Sequence, residues 1–111
     1  MSYYPDGWFL VQINNREIQY YKIFGSWAGG YLDGDAWRMN SGVVKCEYKD
    51  NRYLFYGASG SIYSCHEESY GRTTAYNGQI LQDIIQNSHG TIQAIPFLPD
   101  NLTNYKWGIN E

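Results

Sequence analysis

Cys65 and His66 are the adjacent pair whose side chains could do nucleophilic chemistry. An imidazole close to a thiol can lower the thiol pKa and so favour the reactive thiolate. The pair lies at the end of a strand-like run, residues 61–65, and neighbours on a strand point to opposite faces. We therefore predict a buried, structural Cys65 and an exposed His66, with no catalytic residue. A thiol-dependent enzyme using Cys65 is retained as a lesser alternative.

The remaining candidate metal ligands do not have the spacing of a metal site. Structural zinc sites usually place two ligands on one short turn, as in CxxC, whereas the two cysteines here lie 19 positions apart, at Cys46 and Cys65. The acidic run Asp33-Gly34-Asp35 lacks the further acidic ligands of an EF-hand calcium loop. We predict no metal and no cofactor.

The corner Gly57-Ala58-Ser59-Gly60-Ser61 is similar to a G-x-S-x-G nucleophile elbow, but serine stands in the fifth position. It also falls between two strand-like runs, whereas an elbow joins a strand to a helix. A phosphate loop would need a lysine and a following helix, and both are missing. This corner is predicted to be a β-hairpin turn.

An aromatic surplus supports binding over catalysis. The chain has 12 tyrosines and 4 tryptophans, and such side chains supply large, rigid contact surfaces. A Gly/Trp-rich loop, residues 25–37, is either wrapped on the core or is the working surface, since glycine-rich loops on rigid scaffolds often bind ligands. The candidate binding residues are Trp27, Tyr31, Asp33, Asp35, Trp37, Arg38 and Arg52.

These residues must be positioned by strands. Runs rich in β-branched and aromatic residues predict a hairpin of residues 8–13 and 18–24 around an Asn14-Asn15 turn. Neither face of its second strand is cleanly polar, so we expect its tyrosines to cover a partly wet surface. A three-stranded meander is predicted over 43–48, 52–56 and 61–65, with its first turn at 49–51. Residues 91–97 are predicted to form a last strand, which either lies at a sheet edge or ends at Pro96, because proline cannot donate to a ladder.

One helix is predicted over residues 75–88, capped by Thr73 or Thr74. Its apolar stripe is formed by Tyr76, Ile80, Leu81, Ile84 and Ile85. The whole chain, 1–111, is predicted to be a single small α+β domain. It has a curved antiparallel sheet of about six strands, one helix packed on one face and a partly irregular tail, residues 98–111.

Charge and hydropathy argue against two classes of partner, nucleic acids and membranes. A net charge of −3 and a pI near 5.2 argue against a nucleic-acid partner, because phosphate neutralisation needs a basic surface. No apolar run reaches the ~18 residues of a membrane span, and the first residues do not read as a secretory signal. We expect a cytoplasmic protein with reduced thiols.

Two segments between Phe24 and Cys65 resemble small uncharacterised proteins encoded by tailed bacteriophages. The first begins at Phe24 and reads F-G-S-W-A-G-G-Y-L-D-G-D-A-W-R-M-N-S-G, and the second ends at Cys65 and reads Y-G-A-S-G-S-I-Y-S-C. The resemblance covers less than half of the chain and brings no activity, ligand or catalytic residue. It implies a context: small phage accessory proteins often inhibit or sequester host components. Such a protein would work in the host cytoplasm.

The function predicted from the sequence is therefore non-enzymatic binding. A protein partner is favoured, as for a phage-type inhibitor or sequestering protein. The alternative is a sponge for a small polar or nucleotide-like ligand, held by aromatic side chains and by Arg38 or Arg52 in a cleft or an oligomer interface. Homo-oligomerisation is left open.

Overall fold

The computed structural model describes residues 1–29 and 34–108. Eight strands and one longer helix, α1, form the α+β domain. Their bounds are β1 Ser2–Tyr3, β2 Gly7–Asn15, β3 Ile18–Trp27, β4 Ala36–Met39, β5 Val43–Lys49, β6 Arg52–Gly57, β7 Ile62–His66, α1 Ala75–Asn87 and β8 Ile92–Ala94. Short 3-10 turns lie at Glu67–Ser69 and Leu102–Asn104.

The strands form two four-stranded sheets, which corrects the prediction of one curved sheet of about six strands. The meander sheet has the order β1-β7-β6-β5, and the hairpin sheet has the order β4-β3-β2-β8. The additional strands are β1, which pairs in parallel with β7, and β4, which pairs antiparallel with β3. Both are short, so their own sequences carry little strand signal.

The predicted hairpin is confirmed, but its turn lies two residues further along. Asn14 and Asn15 remain in the ladder, opposite Gln19 and Ile18. Arg16 instead takes the left-handed backbone conformation, with φ 54°. In the turn between β5 and β6, Asp50 and Asn51 both have positive φ, which confirms the turn predicted at residues 49–51. Strand β8 is at an edge, as predicted, but it spans only Ile92–Ala94 of the predicted residues 91–97.

The two-sheet arrangement explains why neither face of the first hairpin is polar. Trp8, Leu10 and Ile23 face the meander sheet and pack with Phe55 in the main core. The opposite face packs under α1 through a second cluster, whose buried members are Val11, Ile13, Phe24 and Leu81. The hairpin sheet is thus the middle layer of three. Burial on both faces requires apolar residues at consecutive positions.

Helix α1 begins after Thr74, whose side chain accepts a hydrogen bond from the Asn77 amide at 3.1 Å. Leu81 is buried, and Ile84 and Ile85 pack against the second cluster. Tyr76 does not join this stripe, because its side chain is 65% exposed. Within the described residues, no helix is long and apolar enough to cross a membrane.

The C-terminal segment completes the main core. Leu102 and Trp107 are 1% and 3% exposed, respectively. Trp107 packs edge-on against Tyr21 of the hairpin sheet and Phe55 of the meander sheet, with centroids 5.5 and 6.0 Å apart. The irregular tail predicted after residue 97 therefore docks between the sheets and holds them together at this end.

Candidate functional site

Strand β4 carries two of the predicted binding residues on opposite faces. Trp37 lies opposite Ser26 of β3, and Arg38 lies opposite Gly25. Because side chains alternate along a strand, Trp37 faces the α1 side of the hairpin sheet and Arg38 faces the meander sheet. In the strand order β4 is an end strand, with no second partner among the described residues.

Trp37 forms an exposed aromatic platform. Its ring stacks on Phe24 with a centroid distance of 5.4 Å and an interplanar angle of 12°. Phe24 is fully buried, whereas Trp37 remains 41% exposed. The stack fixes the ring without covering it, so a binding partner would meet a rigid apolar surface at little cost in side-chain entropy.

Arg38 lies beside a polar cavity of about 360 Å³ at the β4 edge of the sandwich. Its guanidinium lies 4.7 Å from the centroid of the Tyr3 ring, in a cation–π contact. The cavity is lined by Tyr3, Lys22, Arg38, Met39, Asn40, Ser41, Ser59, Ser61 and Tyr63. We call it the Arg38 cavity. Among its described lining residues two are cationic, Arg38 and Lys22, and none is acidic.

Asn40 supplies an unpaired donor in this wall. It is 4% exposed, and its Oδ1 accepts a hydrogen bond from the Ile23 amide at 2.9 Å. Its Nδ2 has no hydrogen-bond partner among the described residues. A buried polar group without a partner costs about 1–3 kcal/mol, so this amide would gain from any acceptor that reaches it.

The serine-rich corner forms another part of the wall. The Ser59 amide donates to Ser41 Oγ at 2.9 Å, and the two hydroxyl oxygens are 3.1 Å apart. A Cβ at Gly57 would lie 2.9 Å from Ser61 Oγ and 3.3 Å from Ser41 Oγ. A side chain at position 57 would therefore crowd these two hydroxyls, and the predicted hairpin corner brings hydroxyl groups to the cavity.

Burial raises the pKa of Tyr63 to about 12, and the nearby Arg38 acts in the opposite direction. The Tyr63 phenol therefore keeps its proton at neutral pH. Since Tyr63 lines the cavity, it adds a hydroxyl that can donate a hydrogen bond.

The 25–37 segment is only partly described. Strand β3 extends through Trp27 and β4 starts at Ala36, so both ends of the segment are strands. Trp27 is half-buried; its indole Nε1 donates to the Tyr4 carbonyl at 3.0 Å, which makes it an anchor. Asp35 is also half-buried. The predicted residues Tyr31 and Asp33 lie outside the described residues.

Arg52 is not brought to the Arg38 cavity. Its guanidinium donates to the Ser64 carbonyl at 2.9 Å and to Ser64 Oγ at 3.3 Å, across from β6 to β7. It also lies 5.8 Å from the Tyr4 ring centroid. Arg52 therefore ties neighbouring strands of the meander sheet together, and of the two predicted arginines it is Arg38 that lines a cavity.

The Cys65 thiol is fully buried, and burial raises its pKa well above the ordinary value. His66 is partly exposed, and its Nδ1 accepts a hydrogen bond from the Glu68 amide at 3.1 Å. The two side chains are separated as strand alternation predicted. Burial, with the Glu47 charge as the second cause, raises the pKa of Cys46 to about 12. Neither thiol has the lowered pKa of a nucleophile.

Sequence reasoning missed most of the Arg38 cavity. Lys22, Asn40 and Tyr63 come from separate segments, and no local spacing relates them to Arg38. Ser59 and Ser61 belong to the corner of residues 57–61, which the sequence predicts only as a hairpin turn. Within residues 1–29 and 34–108, no group of three or more His, Cys, Asp or Glu side chains could hold a metal ion.

Comparison of the chain with protein-family models, with curated proteins and with solved structures found no match.

Proposed function

We propose that this chain is a non-enzymatic binding protein that inhibits or sequesters a partner protein, and that β4 is its docking strand. The observation that carries the proposal is the exposed Trp37 on a strand at the edge of the hairpin sheet. The resemblance to tailed-phage proteins supports a host protein in the bacterial cytoplasm as the target.

The edge of β4 suits an extended segment of the partner. A strand at a sheet edge presents unpaired backbone groups, and an extended peptide can pair with them as an added strand. Main-chain hydrogen bonds then provide affinity, while side-chain contacts on the two faces provide specificity. Here Trp37 offers an aromatic contact on one face, and Arg38 offers a charge on the other.

Charge narrows the chemistry of this partner segment. Arg38 is exposed and Lys22 is half-buried, and both border the cavity beside β4. The ion pair found among the described residues, Lys45–Glu47 at 3.6 Å, involves neither of them. A partner segment with an apolar residue facing Trp37 and a carboxylate facing Arg38 would complement both groups.

The experiment is a pull-down from a bacterial lysate with the full chain, Trp37→Ala and Phe97→Ala as baits. Phe97 is 84% exposed and lies outside β4, so its variant controls for general loss of an exposed aromatic ring. We expect the same protein to be retained by the wild type and by Phe97→Ala, and to be lost with Trp37→Ala. Mass spectrometry of the eluates identifies it.

Trp37→Tyr keeps an aromatic ring stacked on Phe24 and is expected to restore much of the retention. Circular dichroism confirms that each variant is folded before it is used. If the folded Trp37→Ala variant pulls down the same proteins as the wild-type chain, β4 is not the docking strand.

A further inference from the structure

We propose that the Arg38 cavity is a binding site for a phosphate monoester carried by a small molecule of nucleotide size. This inference goes beyond the protein-docking proposal, because the cavity lies on the opposite face of β4 from Trp37. It also gives the predicted small-ligand alternative a definite location and chemistry.

Charge is the first argument. Arg38 and Lys22 both line the cavity, and no carboxylate is among its described lining residues. Arg38 is held at the cavity by the Tyr3 ring, 4.7 Å away, and forms no ion pair within the described residues. A phosphate monoester carries about −1.5 to −2 charges at pH 7, so it can offset the positive charges of both residues. The overall acidity of the chain makes this local excess of positive charge stand out.

The number of hydrogen-bond donors is the second argument. Asn40 Nδ2 is buried and has no partner among the described residues, whereas Asn40 Oδ1 accepts a hydrogen bond from the Ile23 amide. The Ser41, Ser59 and Ser61 hydroxyls and the Tyr63 phenol line the same space. A phosphate group presents three terminal oxygens that accept several hydrogen bonds at once. The guanidinium of Arg38 can donate two of these to one phosphate.

Size and shape are the third argument. A cavity of about 360 Å³ falls within the range of small-molecule sites, at roughly 300–1,000 Å³, and exceeds the needs of a phosphate ion alone. The Tyr3 ring lines the cavity together with the polar groups, whereas the Met39 side chain packs with Phe24 in the cluster on the α1 side of the sheet. The Tyr3 ring would contact the organic part of the ligand. The whole ligand is therefore a phosphorylated small molecule, with the phosphate toward Arg38.

The test is isothermal titration of the full chain with adenosine 5′-monophosphate, inorganic phosphate and adenosine as probes. We expect saturable binding of the monophosphate, weaker binding of inorganic phosphate and no binding of adenosine. The variants are Arg38→Gln, and Arg16→Gln as a charge-matched control at the exposed hairpin turn. Arg38→Gln should weaken monophosphate binding by about tenfold or more, while Arg16→Gln should leave it unchanged. Trp37→Ala should also leave it unchanged, which separates this inference from the docking proposal.

Three outcomes overturn the inference. The first is no saturable binding of either phosphate probe up to about 10 mM, well above the millimolar range of weak sites. The second is an equal loss of affinity in Arg38→Gln and Arg16→Gln, which would show general charge attraction. The third is adenosine binding as tightly as its monophosphate. Should Arg38→Gln fail to fold, Ser61→Ala serves as the cavity variant, and the same loss relative to Arg16→Gln is required.

Discussion

One buried amide, Asn77, connects three elements at the base of the docking strand. It is fully buried, and its Nδ2 donates to the Ala36 carbonyl at 2.9 Å and to Ser26 Oγ at 3.0 Å. Ala36 is the first residue of β4, and Ser26 is near the end of β3. A side chain of α1 therefore fixes where β4 starts, which makes Asn77 a positioning residue for the proposed surface.

Asn77→Ala should lower the free energy of unfolding by about 1–3 kcal/mol, because the Ala36 carbonyl and the Ser26 hydroxyl lose their shared donor. Urea denaturation measures the change. Asn87→Ala, at the exposed last residue of α1, is the control and should have little effect. A loss no larger than that of the control would mean that Asn77 does not hold β4 in place.

The orientation of a side chain could be predicted from the sequence where it depends only on neighbouring residues in the chain. The opposite orientations of Cys65 and His66 follow from strand alternation alone. The roles of Asn40 and Asn77 could not be predicted, because both are defined by hydrogen bonds to residues at least 17 positions away. Arg38 and Trp37 were predicted as binding residues, and the structure assigns them to separate faces of β4.

The start of helix α1 and its contact with the hairpin sheet both depend on two threonines next to each other in the sequence. Thr74 caps the helix through the Asn77 amide, and this cap directs Asn77 toward β3 and β4. The prediction offered Thr73 or Thr74 as the cap; Thr73 instead donates to Ser26 Oγ at 3.1 Å. Thr73 therefore joins the helix start to the hairpin sheet, while Thr74 caps the helix.

Thr74→Ala removes the cap and should cost about 1 kcal/mol of stability. Thermal and urea denaturation report the loss, and Thr103→Ala at an exposed position is the matched control. A Thr74→Ala variant as stable as wild type would contradict the assigned cap.

Elements with strong periodicity could be predicted, and their layering could not. The hairpin, the meander, the helix and the edge strand were all predicted from the pattern of consecutive residues. The short strands β1 and β4 form because β7 and β3 offer edges to pair with, and that depends on the tertiary arrangement. The apolar residues on both faces of β3 were read as a partly wet surface, whereas they indicate a central layer.

At the scale of the whole molecule, burial of acidic protons sets the response to alkaline pH. Burial raises the pKa of Cys46 and of Tyr63 to about 12, and that of Cys65 above its usual range. In the unfolded chain these groups titrate near their ordinary values, about 8.5 for cysteine and about 10 for tyrosine. Between those values and the folded-state values, the unfolded chain has lost protons that the folded chain retains.

The free energy of unfolding should therefore fall as pH rises above about 8.5, by up to ~1.4 kcal/mol per pH unit for each such group. Below that pH the groups are protonated in both states and contribute nothing. Urea denaturation at a series of pH values from neutral to alkaline measures the slope. Tyr63→Phe should make the slope shallower above pH ~10, whereas Phe97→Leu, which removes no titratable group, should not. A stability independent of pH over this range would contradict the burial of these protons.

We propose that β4 receives an extended segment of a partner protein. Amide hydrogen exchange can test directly whether the backbone of β4 becomes paired in the complex. The measurement compares the free chain with its complex with the protein that the Trp37-dependent pull-down retains. We expect new protection in the complex of those backbone amides within Ala36–Met39 that point away from β3. Protection confined to other surfaces, such as the opposite sheet edge at β5, with the β4 amides exchanging as in the free chain, would contradict it.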